Sequence, residues 1–411
     1  MRFVRSHVEG LDPEALRTLS AREGWLVETP EVLRAGLGDV VATIELPDGL
    51  ESPRDARDQL AAHELSGVDG PAGSGVVAFA SLPFERGEAS HLEVPRYAFT
   101  RLRDGSTWVS ALDGDDEWRA LVANVESANQ EPLFPRSLTY QPTAEEYAHT
   151  VARAVELLRR KELDKVVLAR AVLGTVPEAI DPAALAARLR RREPLCTVYS
   201  LPVSGERRYV GASPELLARR EGPTVTCHPL AGTIALPAHV APDDYQTWLL
   251  GSTKNLHEHA VLVDDLVQLL ARHFEDIDAD ATPSIVALRS VAHLGTWIRA
   301  NARGDAPDAL RVLALLHPTA AVGGIPRQAA HDLIGELEET PRGHYAGPLG
   351  WVDERGDGEW WVGIRGVLVR GAAFEAWAGA GIVSESDPTA EREETRDKLA
   401  SVLGALLAER V

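Results

Sequence analysis

The chain has 411 residues, 45% of them apolar and only 6% aromatic, with 62 acidic against 42 basic side chains and a net charge of −20. That balance excludes a general nucleic-acid binder, whose affinity comes from basic residues meeting phosphates, although a locally positive pocket for a small anion remains compatible with it. Two cysteines, Cys196 and Cys227, supply neither a disulfide framework nor a zinc signature and point to a reducing compartment.

The first segment, MRFVRSHVEG, is interrupted by charge too early to read as a signal peptide, and no run approaches the roughly 20 apolar residues of a membrane helix. A cytoplasmic protein without membrane or nucleic-acid partners is expected. Residues 1 to about 130 read as short strands separated by Gly/Pro/Asp turns, with few long helices. From about 142 the pattern changes. TAEEYAHTVARAVELL opens at a Thr N-cap with Glu three residues on, then runs at helical period.

DKVVLARAVLG follows as a strand, DPAALAARLRRRE as a helix, and LCTVYSLPV and RRYVGASPELLARREGPTVTCHPLAGTI as strands. DDYQTWLLGSTKNLHEHAVLVDDLVQLLARHF reads as one long helix. PSIVALRSVAHLGTWIRANA is strand-rich, DAPDALRVLALLHP a helix, and GHYAGPLGWVDERGDGEWWVGIRGVLVRGAAFEAWAGAGIV a strand series. PTAEREETRDKLASVLGALL closes the chain as a helix. Strands and helices mix without strict βαβ alternation, which predicts an α+β protein rather than a doubly wound sheet. No linker separates the halves, so 1–411 is expected to form one structural unit, and with no spare apolar stripe a monomer.

Four places carry candidate chemistry. In the terminal helix Glu391, Glu394 and Lys398 share a face, either as a solvated Glu–Lys surface or as two carboxylates for a hard cation with a lysine one turn on. Glu258, between His257 and His259, heads an apolar stripe; it is either an exposed edge or a buried charge that needs a partner. Lys165 stands at the mouth of a doubly apolar strand, as a snorkelling end or as a base with a lowered pKa. Glu215, after Gly-Ala-Ser-Pro, is either the first turn of a helix or a carboxyl held against apolar neighbours with a raised pKa.

Taken together and in order, DKVVLAR, GASPELL, PLAGT, KNLHEH, AHLGT, LHPTAAVGGIP, GHYAGPLGW and AGAGIVSESDPTAEREETRDKL resemble the chorismate-utilising enzymes, and among them the isochorismate synthases, over about 140–410. The resemblance implies large antiparallel sheets packed as a core sandwich with helices outside, a chorismate-binding catalytic part over 131–411, and Mg²⁺ dependence. It makes Glu258 and Glu394 direct metal ligands and Glu391 a support through water. It places Lys398 and the backbone at Gly232, Gly379 and Gly381 around the ring carboxylate, and Arg365 with Tyr345 at the enolpyruvyl carboxylate. Thr233 and His293 line the same pocket.

By the same resemblance Lys165 is the general base that activates water for attack at C2, and Glu215 the general acid that protonates the departing C4 hydroxyl. Lys165 disfavours the ammonia-using anthranilate and aminodeoxychorismate synthases. Ala321 and Ile364 occupy positions where salicylate synthases tend to carry Thr and Leu, so the runner-up is a salicylate synthase, which eliminates pyruvate after forming isochorismate. A non-catalytic relative is the last alternative, and it fits poorly with Lys165, Glu215, Glu258 and Glu394 all present. Asn255 departs from the family, which usually has an acid there. The product of such an enzyme feeds menaquinone, siderophore or other secondary pathways, and the chain does not say which.

Overall fold

The computed structural model describes residues 1–53, 55–236, 242–302 and 307–408. Its architecture is α+β. Two long antiparallel strands, Val32–Leu46 and Ser90–Leu102, run through the middle and belong to two layers at once. Register shifts at Leu37/Val40 and Val40/Ala42, with Gly38 at φ +80°, bend the first of them. Such bulges add twist and let one strand leave one sheet and enter another. The expectation of short strands only in this part is therefore corrected: one strand continues through the bulge, where exposed Gly38, Asp39 and Val40 interrupt the buried run.

From the first half of that strand one layer extends through Trp25–Glu28, Thr197–Val203, Arg207–Ser213, Gly366–Arg370, Ala373–Ile382 and Lys165–Thr175 to the edge strand Ser137–Gln141. From the other end of the long pair, Val77–Ser81 leads to a second layer: Pro348–Asp353, Gly358–Val362, Leu216–Glu221, Thr224–His228, Ile298–Ala302 and Phe274–Ala279. Each of these two series thus begins with strands from the first 130 residues and continues with strands from the rest of the chain.

An aromatic cluster fills the space between the layers. Trp25, Tyr199 and Tyr209 from the first meet Phe79, Leu349 and Trp351 from the second. Helices cover the outer faces. Leu185 and Leu189 of Pro182–Arg192 and Val402 and Leu406 of Pro388–Leu406 pack on the first layer with Val198, Val210 and Val367. Leu310 and Leu313 of Ala309–Leu316 and Leu262 and Leu266 of Thr253–Leu270 belong to the core beyond the second, with Ala218, Val225 and Trp360. Burial on both faces explains why strands such as Lys165–Thr175 read as continuous apolar runs. Among the described residues, no helix is long and apolar enough to cross a membrane.

The helix expected after Thr143 forms over Ala144–Arg159, with the reciprocal Thr143/Glu146 capping box in place. The single long helix expected across 243–274 is instead two, Pro242–Gly251 and Thr253–Leu270. The break lies at Ser252, whose extended backbone and side chain accepting from Asn255 N make it the N-cap of the second helix. Gly251-Ser252 is a stop–start signal that the amphipathic run on either side obscures.

Candidate active site

One cavity of about 630 Å³, including its open mouth, lies where the Lys165–Thr175/Ala373–Ile382 pair meets the turn at Pro214-Glu215, the helix Thr253–Leu270 and a small separate sheet. That small sheet consists of Leu230–Ala235, Val291–Gly295 and Ser284–Ala287. Glu215, Thr233, Glu258, His293, Ala321, Tyr345, Ile364, Arg365, Gly379, Gly381 and Lys398 all line the cavity. These residues are up to 183 positions apart in the chain, and the fold gathers them in one place.

In the strand pair, Gly381 is opposite Val167 and Gly379 opposite Ala169. The period of two then puts Lys165, Val167, Gly379 and Gly381 on one face. The glycines leave this face bare: a Cβ on Gly381 would sit 2.3 Å from Glu258 Oε1 and 3.0 Å from Lys165 Cε. Lys165 is fully buried, so the snorkelling alternative is excluded, and its Nζ lies 3.0 Å from Glu258 Oε1. Glu258 is buried too. Burial alone would raise its pKa, but Lys165 foremost, with Lys398 and Lys254, holds it below the ordinary carboxyl value.

Glu215 occupies a turn between Arg207–Ser213 and Leu216–Glu221, not a helix. Its N–H donates to Ser213 Oγ, and its carbonyl accepts from Val362 N. Burial pushes its carboxyl up to about 7, against a weaker opposing pull from the Leu230 N–H and from Lys165 and Lys398. A carboxyl at that value is protonated about half the time at neutral pH and suits general acid work.

Arg365 is buried and held at φ +54°, a region that costs a non-glycine residue about 1 kcal/mol or more. Flanking bonds hold it there: Tyr199 Oη donates to Ile364 O, and Ala212 N to Arg365 O. Its guanidinium donates to Lys398 O and to His293 Nε2. Tyr345 stacks on Trp377 at 5.7 Å.

The terminal helix begins at Asp387, which caps it by accepting from Thr389 N and Ala390 N. Glu391 is buried and its Oε1 accepts from Lys254 Nζ at 2.6 Å. Glu394 Oε1 accepts from Lys398 Nζ at 2.6 Å, and the same ammonium donates to Gly379 O at 2.9 Å. Each of the three carboxylates therefore has its own lysine. Among the described residues, no three His, Cys, Asp or Glu side chains are placed to hold one metal ion, so the expected trio is not assembled as a coordination shell. The donor chemistry still fits a hard cation: three carboxylates, two of them deeply buried, all close enough to Lys254 to act on its charge.

Sequence reasoning missed Lys254. The available signal was its position four residues before Glu258 on one helix, the spacing that puts both on one face. It also missed Trp377, which lines the cavity, and Glu193, a buried carboxylate whose charge acts on Arg365 from behind and which is held by Ser401 Oγ and Arg289 N. Lys165, Gly232, Glu391 and Glu394 are not among the residues that line the cavity.

A family profile described as "Chorismate binding enzyme" matches residues 35–407. The chain belongs to the chorismate-binding enzyme family. Within this chorismate-binding family, the chain is 35% identical over 270 residues to the vibriobactin-specific isochorismate synthase of Vibrio cholerae, covering 65% of this chain and 68% of that protein. It is 31% identical over 333 residues to isochorismate synthase DhbC of Bacillus subtilis, covering 79% of each. Among solved structures, the menaquinone-specific isochorismate synthase MenF of Escherichia coli superposes with a TM-score of 0.81 at 26% identity, covering 99% of this chain and 95% of that one. The sandwich with outer helices is thus a shared chorismate-binding fold, as the motif order implied.

Proposed function

We propose that this chain is an isochorismate synthase that adds water at C2 of chorismate as the C4 hydroxyl leaves. The observation that carries this reading is a cavity lined by Glu258, with the fully buried Lys165 beside it, and by Glu215, whose carboxyl burial pushes up to about 7. The named relatives support the same activity.

In this reading Lys165 is the base that takes a proton from water while the water oxygen bonds to C2. The ring double bonds shift, and the C4–O bond breaks. Glu215 gives its proton to the departing hydroxyl, which leaves as water. Arg365 and Tyr345 hold the enolpyruvyl carboxylate, Arg365 through the planar fork that suits bidentate contact. Lys398 and the backbone at Gly232, Gly379 and Gly381 surround the ring carboxylate. Glu258 and Glu394 would hold Mg²⁺, with Glu391 supporting it through water. Bound there, the ion supplies neutralisation of the ring carboxylate and of charge developing beside it. Ala321 and Ile364 at the cavity wall are the positions that favour release of isochorismate over pyruvate elimination.

Incubation of the purified protein with chorismate and Mg²⁺, followed by chromatography, tests the reading. Isochorismate is expected. Salicylate with pyruvate would make it a salicylate synthase. A product formed only with ammonium would place it among the amine-using enzymes, and unchanged chorismate would remove the catalytic reading altogether.

A further inference from the structure

Thr233 and His293 are register partners in the small sheet, 60 residues apart in the chain, and their side chains meet across the strand pair. Arg365 Nη2 lies 3.2 Å from His293 Nε2, and His293 Nδ1 lies 3.0 Å from Thr233 Oγ1. A guanidinium carries donors only, so its contact requires a bare lone pair on Nε2. A neutral imidazole with Nε2 bare carries its proton on Nδ1, and that proton points at Thr233 Oγ1. Burial, with Arg365 and Lys398 close by, also keeps His293 from taking a second proton, against a weaker opposing pull from the Gly232 backbone.

The consequence falls on Thr233. Its oxygen already accepts from His293, and among the described residues no group takes its own hydroxyl hydrogen. Thr233 lines the cavity, so that hydrogen is left for a group bound there. We infer that Arg365 locks His293 as the Nδ1–H tautomer, and that this lock makes the Thr233 hydroxyl an obligatory hydrogen-bond donor to a substrate oxygen. With Arg365 and Lys398 lining the same cavity, that oxygen is one carrying negative charge, a carboxylate oxygen. His293 is then a positioning residue acting through Thr233, and Arg365 fixes the donor pattern of the wall as well as binding substrate. The substrate half of this inference rests on the chorismate reading; the tautomer half does not.

Long-range ¹H–¹⁵N NMR on histidine-labelled protein without substrate reads the tautomer directly, with the His293 signals assigned by their loss in His293→Asn. The expected result is a protonated Nδ1 and a bare Nε2 from pH 6 to 8, with the pattern lost in Arg365→Met. An Nε2–H tautomer in the wild type overturns the lock. Kinetics with chorismate read the donor: Thr233→Ser keeps KM close to wild type, while Thr233→Val raises KM about 10-fold or more and changes kcat less, as expected for loss of a hydrogen bond to a charged group. An unchanged KM in Thr233→Val overturns the donor role. Failure of the wild type to consume chorismate would count against the functional reading alone, because the NMR result is obtained without substrate.

Discussion

Replacing Glu215 by Gln separates the energetics of the proposed acid from its chemistry. In the fold the carboxyl titrates at about 7 instead of its ordinary 4.5, because burial penalises the charged form. Below pH 4.5 the group is protonated in both folded and unfolded chains, and it contributes no difference. Between 4.5 and 7 the unfolded chain releases the proton while the folded chain keeps it, so stability falls as pH rises. Above 7 both forms are ionised and the loss is complete, at about 3 kcal/mol for this displacement. Glutamine keeps the shape and an acceptor for the Leu230 N–H but never ionises. Glu215→Gln should therefore match wild type in urea unfolding at pH 4.5 and exceed it by about 3 kcal/mol at pH 8. Other titrating groups cancel in the difference between the two proteins. Turnover in the same variant should fall by about 10²-fold or more, as for loss of a general acid. A stability difference that does not change with pH would refute the buried, raised carboxyl. Retained turnover would refute its role.

Lys165→Ala should lose turnover and also leave Glu258 buried without its closest cation, costing about 3 kcal/mol, and added Mg²⁺ should recover part of that stability in a thermal shift measurement. Gly381→Ala puts a methyl group 2.3 Å from Glu258 Oε1, so the carboxylate must move; turnover should drop by about 10²-fold while the far-UV circular dichroism stays unchanged. Asp387→Ala removes the cap that fixes the helix bearing Glu391, Glu394 and Lys398, and unfolding should show a loss of about 1 kcal/mol. In wild type, the pH–rate profile should fall on the alkaline side with an apparent pKa near 7, where Glu215 loses its proton.

Much of this was legible in the chain because local signals and burial agree there. The Thr143/Glu146 box, the apolar run after Lys165 and the Gly-Ala-Ser-Pro turn before Glu215 each state their local structure, and the order of the motifs implies the fold. Individual residues were less clear. Whether Glu258 is an exposed edge or a buried charge depends on Lys165, 93 positions away, and no local pattern joins them. The break at Ser252 was hidden because apolar spacing continues across it. The Lys254–Glu391 pair and the cross-strand meeting of Thr233 with His293 depend on register and on helix placement, which spacing alone does not fix. The three Lys–Glu pairs show why the carboxylates do not form a ready-made coordination shell: each is paired with its own lysine.

In the proposed reaction water, activated beside Lys165, supplies the new ring hydroxyl while Glu215 releases the old one. Mass spectrometry of isochorismate formed under initial-rate conditions in H₂¹⁸O tests it most directly. One ¹⁸O on the ring, at C2, is expected. Isochorismate without label would mean that the original hydroxyl migrates, and would rule out water as the nucleophile.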